Sequence, residues 1–141
     1  MELETICQLL LAMFLGALIG LEREIKKREA GLQTYSLVAL ASCLFTLSIL
    51  FLYKINIIKD PSVLIIGIGV GMGFIGAGAI SRINDRVEGI TTAAGLWTTA
   101  AIGLAIGSQF YFLAISATLA ALLILSLFGF IEKKYFEKED K

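Results

Sequence analysis

Residues 89–131 read GITTAAGLWTTAAIGLAIGSQFYFLAISATLAALLILSLFGFI, a run of 43 residues without a charge. As a single helix it extends about 64 Å at 1.5 Å per residue, against a bilayer hydrocarbon core of about 30 Å. It therefore folds back once, and Gly107-Ser108-Gln109 is its only polar break. The run divides into two spans, 90–106 and 110–131. Working outward, the uncharged stretches 62–80, 35–53 and 5–21 supply three more. The expected architecture is an all-α membrane protein of five transmembrane helices in one domain, residues 1–141.

Composition agrees with this. Apolar residues make up 57% of the chain and the mean hydropathy is +0.85, more than a water-soluble fold of this size can hide. Net charge is zero, so no global field attracts nucleic acid. Histidine is absent, which removes Ser-His and Cys-His catalysis, and no enzyme activity is expected. Cys7 and Cys43 sit in apolar runs and read as small buried thiols. The acidic start, Met1-Glu2-Leu3-Glu4, is not that of a signal peptide, so the first span is expected to stay in the protein.

The charges give orientation. Arg23, Lys26, Lys27, Arg28, Arg82, Arg86, Lys133, Lys134, Lys138 and Lys141 fall on one side of a five-span chain, and only Lys54 and Lys59 fall on the other. The excess of Lys and Arg in short cytoplasmic loops places the N-terminus outside and the C-terminus inside. Pro61 reads as a helix start in the outer loop.

Small residues carry the packing, because apolar side chains gain nothing by leaving lipid for another helix. Gly16 and Gly20 recur at four-residue spacing with Ala12, and Gly103 with Gly95, Thr99 and Gly107. Span three has Gly67, Gly71 and Gly78 on one face and Gly69, Gly73 and Gly76 on nearly the opposite one, which predicts a helix sandwiched at the centre of the bundle.

The chain also resembles itself. Phe14-Leu15-Gly16-Ala17 matches Phe74-Ile75-Gly76-Ala77, and Arg28-x-x-Gly31-Leu32-x-Thr34 matches Arg86-x-x-Gly89-Ile90-x-Thr92. Spans one and two thus read as duplicated in spans three and four, a parallel repeat about the membrane normal. In each copy a threonine (Thr34; Thr91 or Thr92) is positioned to cap a helix, beside an arginine. Two positive helix ends facing the cytoplasm suit an anion. Glu22, Arg23, Arg28, Thr34, Asp85, Arg86, Thr91 and Thr92 are the candidate polar site. Glu22, Asp85 and Thr91 are oxygen donors of the kind Mg²⁺ takes, and pairing of the acids with neighbouring arginines is the alternative.

Four stretches resemble the MgtC/SapB family of bacterial inner-membrane proteins: Leu15-Gly-Ala-Leu-Ile-Gly-Leu-Glu-Arg23, Ala30-Gly-Leu-Gln-Thr34, Gly71-Met-Gly-Phe-Ile-Gly-Ala-Gly78 and Gly89-Ile-Thr-Thr-Ala-Ala-Gly-Leu-Trp97. The family usually carries a basic residue where this chain has Gln33, and its longer members add a cytoplasmic C-terminal domain; this chain is expected to be a short member without it. The resemblance implies a multi-pass bacterial plasma-membrane protein of magnesium homeostasis and low-magnesium adaptation, in a family linked to virulence. It implies a regulator or accessory factor, with the ATP synthase or a transport ATPase as the kind of partner, and a second copy of the chain as another. A transporter or channel for Mg²⁺ or another ion is the alternative. No cofactor is implied beyond Mg²⁺ itself.

Overall fold

The computed structural model describes residues 2–83 and 85–135. Lys138 and Lys141 of the basic tail lie outside the described residues. The order is α1 (Glu2–Ile25), α2 (Leu32–Lys54), α3 (Val63–Gly78), a hairpin of β1 (Ser81–Ile83) and β2 (Arg86–Glu88), α4 (Ile90–Gly107) and α5 (Tyr111–Leu123). α5 runs through a π-helical turn, Ile124–Phe128, into α6 (Gly129–Tyr135). Among the described residues four helices are long and apolar enough to cross a membrane: α1, α2, α4 and the stretch Tyr111–Ile131. α3 is apolar but has 16 residues, about 24 Å against a core of about 30 Å. It stops at Gly78, short of the expected residue 80, because the chain turns there into the hairpin, with Ser81 opposite Glu88 and Ile83 opposite Arg86.

Three helix ends close in the same way. After α1, the Arg28 amide bonds the Arg23 carbonyl at 3.1 Å and the Lys27 amide bonds that of Glu24 at 3.0 Å. After α2, Ile57 and Asn56 reach Leu52 and Tyr53, both at 3.0 Å, and after α4, Phe110 and Gln109 reach Ala105 and Ile106 at 2.8 and 2.9 Å. Each is a Schellman closure around a left-handed residue, Lys27 (φ 52), Asn56 (φ 58) and Gln109 (φ 66). The polar break at residues 107–109 is thus a helix end that satisfies its own carbonyls, as an apolar solvent requires.

The packing centre is α4, not span three. A Cβ at Gly16 would stand 2.6 Å from the Tyr35 carbonyl oxygen, and one at Gly20 would stand 2.8 Å from Leu32 Cα. A Cβ at Gly103 would strike the Ala39 carbonyl oxygen, and one at Gly107 would come 2.6 Å from Thr46 Cβ. α1 and α4 therefore both press on α2 backbone to backbone. On α3 only Gly76 meets a neighbour, Ala93 of α4 at 3.4 Å. Gly67, Gly69, Gly71, Gly73 and Gly78 have nothing within 4 Å. Within the chain α3 is an edge helix, and the expected sandwich is corrected. A glycine face permits close approach but draws in no helix unless that helix presents a complementary ridge. α1, α2 and α4 present theirs to one another. Thr46, Thr99 and Thr118 are buried, and each donates to the carbonyl four residues back at 2.7–2.9 Å, which meets the demand of a hydroxyl in an apolar interior.

Candidate functional site

One end of the bundle gathers buried charge. Arg23 lies one turn beyond Gly20 and on the same side of α1 as Gly16 and Gly20, so the contact that seats α1 on α2 also carries its guanidinium inward. Arg23 is 3% exposed. Its Nη2 donates to Thr92 Oγ1 at 3.2 Å, and the Thr92 hydroxyl in turn donates to Glu29 Oε2 at 2.9 Å. The Tyr35 hydroxyl donates to the Thr92 carbonyl at 3.2 Å. Thr92, in the first turn of α4, is thus the point where α1, α2 and the 26–31 loop converge.

Burying a guanidinium costs several kcal/mol unless charge and hydrogen bonds compensate it. Glu22 Oε2 is 3.6 Å from Arg23 Nη1, and Glu22 Oε1 is 2.6 Å from Lys26 Nζ. Both approaches lie off the hydrogen-bond direction. Neither Glu22 oxygen nor Arg23 Nε finds an aligned partner among the described residues. The cluster is balanced in charge and incompletely hydrogen-bonded. Lys26 Nζ also donates to the Leu125 carbonyl in the π-helical turn at 2.6 Å, which ties α1 to the last helix. The Glu29 carboxyl is held below its usual range, first by its own backbone amide and then by the Thr92 hydroxyl, with Arg28 and Arg23 adding to the effect. Among the described residues no three His, Cys, Asp or Glu side chains group as metal ligands.

Of the eight candidate residues the structure brings together Glu22, Arg23 and Thr92. Thr34 is exposed and caps nothing. α2 starts after Gly31 without a side-chain cap on its N-cap residue, and the Leu32 amide is taken by Glu24 Oε2 at 3.1 Å. α4 starts after Gly89 (φ 87), also without one, so neither Thr91 nor Thr92 caps it. Thr91 is exposed, and Thr92 is turned into the Arg23 network. A Cβ at Gly89 would strike the Ala79 carbonyl oxygen, so the glycine is required by the close return of the hairpin. Arg28 and Arg86 are exposed. Asp85 bends the hairpin (φ 64) and accepts from Arg82 at 3.0 Å. The buried polar network is centred on Arg23 and Thr92, whereas Arg28, Thr34 and Arg86, around which the polar site was expected, are exposed. Glu29, Lys26 and Tyr35 were missed. The repeat pairs Arg28 with Arg86 and so draws attention past the neighbouring Glu29, Lys26 reads as a topology charge, and Tyr35 reads as the start of a span.

A family model described as the MgtC family matches residues 9–134. An uncharacterized protein of Haemophilus influenzae is 36% identical over 141 residues, covering 95% of this chain and 59% of that protein. A protein of Escherichia coli K12 named as a putative magnesium transporter, YhiD, is 39% identical over 135 residues (91% of this chain, 62% of the relative). The protein MgtC of Salmonella typhimurium LT2 is 42% identical over 117 residues (83% of this chain, 49% of the relative). The chain thus spans roughly half to three fifths of the length of these relatives. No solved structure matches it.

Proposed function

The chain belongs to the MgtC family, and from that premise we propose that it is a multi-pass plasma-membrane protein of magnesium homeostasis, acting as a regulator or accessory factor. One observation carries the choice of regulator. Where a permeation path would run, the backbones of α1, α2 and α4 meet directly through Gly16, Gly20, Gly103 and Gly107. The charged network of Glu22, Arg23, Lys26 and Glu29 lies instead at one end. Conduction of a hydrated divalent cation needs oxygen ligands or water along the axis. A closed core with a polar end suits docking to another membrane protein, of the class of the ATP synthase or a transport ATPase.

In this reading the N-terminus is outside, and the Arg23 end, the hairpin and the C-terminus are cytoplasmic, on the ten-to-two distribution of Lys and Arg. The parallel repeat belongs to it as well. Gly16 rests on Tyr35 and Gly76 on Ala93, positions that correspond under the offsets of 60 and 58 residues between the copies. The second reading is a transporter, favoured by the name of the Escherichia coli relative. Mg²⁺ flux into liposomes holding the purified chain decides between them. A regulator gives no flux above empty vesicles while still restoring growth of a deletion strain in low magnesium, and flux that saturates with Mg²⁺ establishes the transporter.

A further inference from the structure

Lys54 and Lys59 are the two cations at the end of the bundle away from the Arg23 network. Both line a pocket of about 430 Å³ with Tyr53, Asn56 and Ile58. It forms where α2 ends and the chain turns at left-handed Asn56. Local groups do not use these lysines. The carbonyls of Phe51, Leu52 and Tyr53 are already taken by the amides of Ile55, Ile57 and Asn56 at 3.1, 3.0 and 3.0 Å, so these three do not call for a lysine. The nearby Asp60 turns to the Ser62 amide at 2.9 Å. Neither Lys54 nor Lys59 takes part in the ion pairs Arg23–Glu22, Lys26–Glu22 and Arg82–Asp85.

We propose that this pocket binds the phosphate of an anionic phospholipid between Lys54 and Lys59. Two unneutralised ammonium groups supply the charge, and the Tyr53 hydroxyl and Asn56 amide supply directional donors. The choice of a lipid over free phosphate rests on the wall. Ile58 lines the pocket, and Ile55 and Ile57 beside it are 46% and 66% exposed. Those apolar groups have a partner in a glycerol backbone and upper acyl chain, and none in an inorganic anion. Tyr53, amphipathic at the end of a span, fits the same boundary.

Native mass spectrometry of the full chain released from detergent tests this, with palmitoyl-oleoyl phosphatidylglycerol, the matching phosphatidylcholine or inorganic phosphate added. The expected result is retention of phosphatidylglycerol well above phosphatidylcholine, with no competition from millimolar phosphate. The double variant Lys54→Gln/Lys59→Gln should weaken retention about thirty-fold. Lys54→Arg/Lys59→Arg and the opposite-end control Lys27→Gln should keep it, and helical circular dichroism should match in all four proteins. Equal retention of the two lipids, loss of lipid to added phosphate, or a double glutamine variant that retains phosphatidylglycerol like the parent overturns the proposal.

Discussion

Arg23 is the residue on which the polar end depends. Arg23→Gln leaves Glu22 with Lys26 alone and removes the bond to Thr92. Breaking a buried ion pair from one side costs about 3–5 kcal/mol, so a large fall in thermal midpoint in detergent is expected. Glu22→Gln/Arg23→Gln should recover part of it, because it also removes the stranded charge. In a low-magnesium growth assay at matched protein level, Arg23→Gln should lose complementation and the exposed Arg86→Gln should keep it; the reverse order places the functional surface on the hairpin. Glu29 predicts a pH effect of definite sign. Its folded pKa lies below the ordinary value of 4.5, so its contribution to stability is complete above that value and is lost as pH falls through the folded one. Thermal midpoints from pH 6 to pH 3 should fall less steeply in Glu29→Gln than in the parent chain. At this scale Glu22, Arg23 and Thr92, which the sequence singled out, fall in one network, because charge beside a span and a repeated threonine are visible in one dimension. The sequence misassigned the caps at Thr34, Thr91 and Thr92. Capping depends on where the first helical φ/ψ falls, and the close hairpin return makes Gly89 the N-cap of α4.

At the level of elements, the uncharged runs predicted each helix to within about four residues, since burial in lipid is decided by composition over a whole turn. The hairpin was not legible. Its two strands of three residues are exposed throughout and rest on backbone bonds, without hydrophobic alternation. The edge position of α3 was not legible either, because a glycine pattern shows where contact is permitted and not who makes it. The two kinds of glycine are separable by mutation. Gly103→Leu and Gly16→Leu press on the α2 backbone and should destabilise by about 1–3 kcal/mol or more. Gly71→Ala, with open space around it, should be neutral or gain up to about 1 kcal/mol from helix propensity. Equal losses at Gly71 and Gly103 would mean that α3 is covered in the membrane by a second chain.

For the whole molecule, a cytoplasm-active reporter joined after Lys141 should be active and one inserted at Asn56 should be silent; the opposite pattern inverts the proposed orientation. The contacts of α1 bear on how such a chain is made. Beyond α2 its hydrogen bonds reach, in order of sequence, Thr92, Ile106, Gln109 and Leu125, from Arg23, Gln8, Glu4 and Lys26. The bonds that α1 makes beyond α2 therefore form only once these later helices are in place. Until residue 125 has entered the bilayer, Lys26 lacks the carbonyl of the π-helical turn, and until residue 92 has done so, Arg23 lacks its hydroxyl. The last helix thus fastens the first, through one lysine that joins residue 26 to the carbonyl of residue 125.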